Sequence, residues 1–185
     1  MATFDVLTGK WSTLTSRDGL PHDRVVSVVR DGDHIWVACR TGLAVVRRGM
    51  QKVETIDAPV FPRGGAFMIG LMADGRYVWA NHFEGVARLD KQTQQWTALS
   101  NVTPLLPRHV IGMAHAGRSA WFLSPGDEHV QLVRFDYESG QFEDWKVPEE
   151  VKLDEASSVA ATEDELFVGT NNNDGIYVLD PQRGC

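Results

Sequence analysis

Apolar residues in this chain fall into runs of about five, each bounded by polar, turn-prone residues, and the arrangement recurs at steps of 42 to 46 residues. Trp36, Trp79, Trp121 and Phe167 each sit in such a run. A partner run precedes each one: Val25 to Val29, Met68 to Met72, Val110 to Ala114 and Ala156 to Ala160. Asp31-Gly32-Asp33, Asp74-Gly75-Arg76 and Ala116-Gly117-Arg118 link the first three pairs. Glycine supplies the positive φ of a tight hairpin turn, so each pair is expected to be antiparallel. A third run follows, Leu43 to Val46, Val86 to Leu89, Val130 to Phe135 and Ile176 to Leu179. A fourth set is marked by Trp11, Val53, Trp96 and Phe142 and is read as opening each repeat. Nowhere is the 3.6-residue spacing of a helix sustained.

Four short strands per period of about 44 residues are the pattern of propeller blades rather than of helical arrays. The expected architecture is an all-β propeller of about four four-stranded antiparallel blades in a single domain, 1–185. The repeats fall near 11–52, 53–95, 96–141 and 142–185, and 1–10 is the outer strand of a preceding or exchanged blade. Ser27, Gly70, Gly112 and Ser158 occupy one position of the partner strand in all four repeats, as expected where neighbouring sheets approach closely. The repeated aromatics read as core between sheets, because burying each ring removes up to about 150–250 Å² from water.

Charge narrows the partners. A net charge of −7 argues against nucleic acid or an anionic membrane surface. No apolar run is long enough to span a membrane, and Met1-Ala2-Thr3-Phe4-Asp5 lacks the basic and apolar regions of a signal peptide. Two cysteines build no disulfide framework; Cys39, beside the first aromatic strand, is expected to be a small buried apolar residue.

Gly19-Leu20-Pro21-His22-Asp23-Arg24-Val25-Val26-Ser27-Val28-Val29-Arg30-Asp31, then Ile35-Trp36-Val37-Ala38 and Thr41-Gly42-Leu43, resembles the two-component regulator propeller repeat. Leu106-Pro107-Arg108-His109-Val110 repeats its Leu-Pro entry, Phe61-Pro62 is a weaker version, and the fourth repeat lacks it. The resemblance implies a propeller of the kind found as extracytoplasmic sensor regions of bacterial histidine kinases, which binds or docks while other domains catalyse. It also implies a periplasmic or extracytoplasmic location. Such propellers have roughly six to eight blades, so this chain is expected to be a segment of a larger propeller, or half of a ring completed by self-association. A closed four-blade ring with a redundant strand is the competing expectation.

The loops at one end of the expected sheets collect His22, Arg24, Arg63, His82, Arg108 and His109, a cation-rich mouth for an anionic or sugar-like ligand or a protein partner. No nucleophile elbow, phosphate loop or His-Glu-x-x-His is present. No catalytic residue, metal site or cofactor is therefore assigned; His82, His109 and His129 lack a ligand spacing that would support a metal. The function expected is non-catalytic ligand sensing or protein docking. The alternatives are a propeller lyase or hydrolase with a catalytic His at the mouth, and a structural scaffold.

Overall fold

The computed structural model describes residues 1–47, 52–57, 69–99, 102–106, 109–125, 130–148, 151, 153, 155–171 and 175–182. The protein is all-β, of the propeller class, with a short 3-10 turn at Ser16–Asp18. It forms two compact units, Met1–Ala98 and Leu99–Cys185.

In the amino-terminal unit the hairpin β1 (Ala2–Asp5) and β2 (Lys10–Thr13) is followed by two sheets. The first contains β3 (Val25–Asp31), β4 (His34–Cys39), β5 (Gly42–Arg47) and β6 (Val53–Ile56). The second contains β7 (Gly70–Ala73), β8 (Tyr77–His82), β9 (Gly85–Asp90) and β10 (Gln95–Ala98). In the carboxy-terminal unit the third sheet holds β11 (Gly112–Ala116), β12 (Ser119–Pro125), β13 (Val130–Asp136) and β14 (Phe142–Trp145). The fourth holds β15 (Ala156–Ala161), β16 (Leu166–Thr170) and β17 (Ile176–Leu179). Every sheet is an antiparallel meander.

The sheets are cut one strand away from the sequence repeat. Strands bearing Val53, Trp96 and Phe142 close the sheet before them rather than opening the next: Val46 pairs with Val53, Leu89 with Trp96 and Phe135 with Phe142. A short turn explains this. At the end of β1, β9 and β13 stands an aspartate, Asp5, Asp90 or Asp136, six residues before Trp11, Trp96 or Phe142. Its Oδ1 accepts the amides two and three residues on, and its carbonyl accepts the amide four on at 2.8–2.9 Å. The residue at that fourth place takes positive φ: Gly9 at 67°, Gly140 at 70° and, without the ease of glycine, Gln94 at 58°. A link this tight reverses the chain onto the strand it has just left.

Turns between the first two strands of each sheet differ from expectation in one case. Gly32 and Gly117 have φ of 56° and 53°, but Gly75 does not enter the left-handed region. There Asp74 Oδ1 accepts the amides of Arg76 and Tyr77, fixing the turn with a side chain instead.

Core positions follow the pleat. Central strands are buried on both faces, as in Trp36-Val37-Ala38-Cys39, whereas outer β6 buries neither Glu54 nor Thr55. Trp36 packs with Ala38, Leu43 and Val45 against Val78, Ala80 and Leu89 of the next sheet. Trp121 does the same with Leu123 and Leu132 against Leu166 and Val168, its ring 5.4 Å from that of Trp145. Trp79 is fully buried and donates its indole N–H to Asp74 Oδ2 at 2.6 Å. Phe167 departs from the series. It is only half-buried, and Val178, opposite it, is 56 % exposed.

Two of the small residues, Ser27 and Gly112, act where sheets meet, whereas a Cβ on Gly70 would meet Asn81 of its own sheet. Ser27 Oγ in the first sheet accepts the Leu71 amide of the second at 3.1 Å. A Cβ on Gly112 would lie 3.2 Å from Val159 Cγ1 and 3.3 Å from Val159 N, in the fourth sheet. Cys39 is fully buried, and its burial pushes the thiol pKa up.

Candidate functional site

Of the six cationic or imidazole residues expected at the loop mouth, Arg63 and Arg108 lie outside the described residues. His22 and Arg24 share the link into β3, and His82 ends β8. Both imidazoles serve the backbone. Nδ1 of His22 accepts the Arg24 amide at 2.8 Å, and Nδ1 of His82 accepts the Glu84 amide at 3.0 Å. His82 is buried, and burial pushes its pKa below the ordinary imidazole range, partly opposed by the Glu84 carboxylate. Its ring therefore stays neutral near pH 7, which suits a hydrogen-bond acceptor holding a turn. Arg24 is exposed, and its carbonyl accepts the Arg40 amide at 3.0 Å. His109, exposed, belongs to the other unit; its carbonyl accepts the Ser124 hydroxyl at 3.4 Å. His22, Arg24 and His82 thus occupy the same end of the two sheets of one unit. Among the described residues, no three His, Cys, Asp or Glu side chains converge as a metal would require.

The opposite end of the first two sheets carries a feature the sequence did not disclose, a cavity of about 440 Å³. Its apolar lining comes from Trp36, Val45 and Ile56, and its cationic lining from Arg47, Lys52 and Lys91. Lys91 crosses between the sheets, donating to Asp31 Oδ2 in the first and to the Asp74 carbonyl in the second. Trp36 Nε1 also points to Asp31 Oδ2, at 3.4 Å.

A corresponding groove of about 510 Å³ lies between the third and fourth sheets, lined in part by Trp121, Arg134 and Arg118. There the strand opposite the tryptophan supplies Arg134, whose guanidinium lies 5.8 Å from the Trp121 ring. It is held by Ser119 Oγ at 2.8 Å, Glu143 at 3.1 Å and Asp136 at 3.4 Å. The second sheet has the same pair, Arg88 opposite Trp79 and 5.4 Å from its ring. In the first sheet the residue opposite Trp36 is Val45. The signal that could have found this cavity is the one departure from the aspartate series: Arg47 stands six residues before Val53, where the other links have Asp.

No protein-family model matches the chain, and no curated protein matches it by sequence. Solved structures do. The extracellular domain of BT4673 of B. thetaiotaomicron, described as a one-component and as a hybrid two-component system, superposes with TM-scores of 0.71 and 0.64 at 18% and 16% identity. These matches cover 96% and 90% of this chain and 24% and 21% of those chains, so the protein spans about a quarter or less of their length. PorZ, a bacterial surface component of the type-IX secretion system of Porphyromonas gingivalis, matches with a TM-score of 0.63 at 11% identity, over 97% of this chain and 22% of its own. The likeness to regulator propellers read from Gly19 to Leu43 thus holds at the level of the fold: this chain has a β-propeller fold similar to that of the extracellular domains of bacterial one- and two-component systems.

Proposed function

We propose that the protein is a non-catalytic recognition module of the sensor-propeller kind, which binds a small anionic or sugar-like ligand or docks a protein. The observation that carries this reading is the use of His22 and His82 as acceptors for backbone amides. Nδ1 of each is committed to a turn, and at His82 burial also opposes protonation, so both are poorly placed to be the base of a lyase or hydrolase. Recognition needs only the exposed charge around them, and the reading is supported by analogy with extracellular domains of bacterial one- and two-component systems of similar fold. A thermal-shift screen of sugars and anions tests it. A ligand of the folded state raises the melting temperature by mass action, and Arg24→Ala should diminish that rise. A screen without any shift, joined to a turnover assay abolished by His82→Ala in a folded variant, would reverse the assignment in favour of catalysis.

We also propose self-association through the outer face of the fourth sheet. Ile176 and Val178 are 66 % and 56 % exposed there, an apolar face of the type that seeks a partner. Light scattering across a concentration series should show dimers or larger species, lost on Val178→Lys; a monomer throughout contradicts this.

A further inference from the structure

We propose that the cavity between the first two sheets is a binding site for a small organic anion with a flat apolar body, an aromatic carboxylate being the simplest case. It lies at the opposite sheet end from His22 and His82, so it goes beyond the recognition surface proposed above. The repeats supply an internal control. In the second and third sheets a guanidinium from the neighbouring strand lies over the tryptophan, Arg88 over Trp79 and Arg134 over Trp121. Two residues further along those strands stand Asp90 and Asp136. The first sheet changes both positions, to Val45 and Arg47. The cation over the ring is removed, and the carboxylate beside it becomes a cation.

What remains is a space of about 440 Å³, within the range of small-molecule sites. Its apolar lining is Trp36, Val45 and Ile56. Arg47 and Lys52 are exposed at its edge, and no carboxylate among the described residues pairs with either. Lys91 is already neutralised by Asp31, and Glu54 is the one carboxylate in the lining. The balance is positive, so an anion is attracted and a guanidinium is repelled. Arg47 can meet a carboxylate with two parallel N–H donors. An apolar ring on the same molecule would cover Val45 and Ile56, which a bare inorganic anion leaves wet. The corresponding groove in the other unit lacks this character, since Arg134 is held there by Glu143 and Asp136.

Benzoate is the probe, with benzylamine as its cationic counterpart, and binding is read by titration calorimetry and ligand-observed NMR. Benzoate should bind and benzylamine should not. Arg47→Gln with Lys52→Gln, at the exposed edge where folding is not at stake, should weaken benzoate by about tenfold or more. Three results would overturn the proposal: no benzoate binding at concentrations on the order of 10 mM, tighter binding of benzylamine, or benzoate binding unchanged in that variant. Loss of benzoate binding would leave the loop-mouth reading untouched, because that is tested by Arg24→Ala.

Discussion

Replacing Gly112 by alanine tests whether the small residues of the partner strand set the distance between sheets. The new Cβ would sit 3.2 Å from Val159 Cγ1, 3.3 Å from Val159 N and 3.7 Å from Ser158 Cα. One of the two tightest contacts is a backbone amide, so a side-chain rotation in Val159 cannot relieve both. β11 and β15 must separate by a few tenths of an ångström, and that loosens the packing of Trp121 against Leu166 and Val168. Overpacking of this kind costs about 1–3 kcal/mol. The reduced freedom of the unfolded chain returns about 0.4–1 kcal/mol of it. The net loss is about 1–2 kcal/mol, or about 4–8 °C of melting temperature per kcal/mol in a unit of this size. Gly75→Ala is the control, because its Cβ meets nothing within 4 Å and its φ is not positive. That variant should be neutral, or more stable by up to about 1 kcal/mol. Urea unfolding followed by tryptophan fluorescence measures both. Should Gly112→Ala melt with or above Gly75→Ala, the close approach of sheets is not what requires glycine there.

Three further outcomes follow from the same geometry. Trp121→Ala should cost about 3–5 kcal/mol, since the ring is 2 % exposed, whereas Trp11→Ala, 72 % exposed, should stay within about 0.5 kcal/mol in the same denaturation assay. Gln94→Gly should raise stability by up to about 1 kcal/mol by easing its φ of 58°, and a loss of stability would refute that account of the turn. His82 has a folded pKa below its unfolded value, so the unfolded state takes up the proton first and stability should decline as pH falls through about 6.5. Asp5, Asp90 and Asp136 are shifted downward, mainly by backbone amides; their contribution is present above about pH 4 and is lost below it. A pH series of melting temperatures should therefore show two falling limbs, and His82→Gln should remove the one nearer neutrality.

Strand content and period were readable because apolar runs, turn residues and one aromatic per repeat are local facts about the chain. The boundaries of the sheets were less readable. The strands at Val53, Trp96 and Phe142 look alike whether they open or close a sheet, and only the aspartate-anchored turn before two of them fixes the pairing. The resemblance from Gly19 to Leu43 pointed to a regulator-type propeller, and that holds as fold. The loop-mouth residues were chosen by side-chain type. Type alone does not reveal that His22 and His82 spend Nδ1 on a backbone amide, nor that His109 belongs to a different unit from both.

The amino-acid sequence by itself determined the repeat, the all-β character, the burial of Cys39 and the place of the small residues, because each depends on neighbours within a few positions. Tertiary structure decided what those residues face. Ser27 meets an amide 44 residues away, Lys91 reaches Asp31 across 60 residues, and the space over Trp36 exists because the strand beside it presents Val45 rather than arginine. Contacts at such separations arise only when sheets stack, and stacking is driven by the sum of many apolar contacts that no single segment encodes.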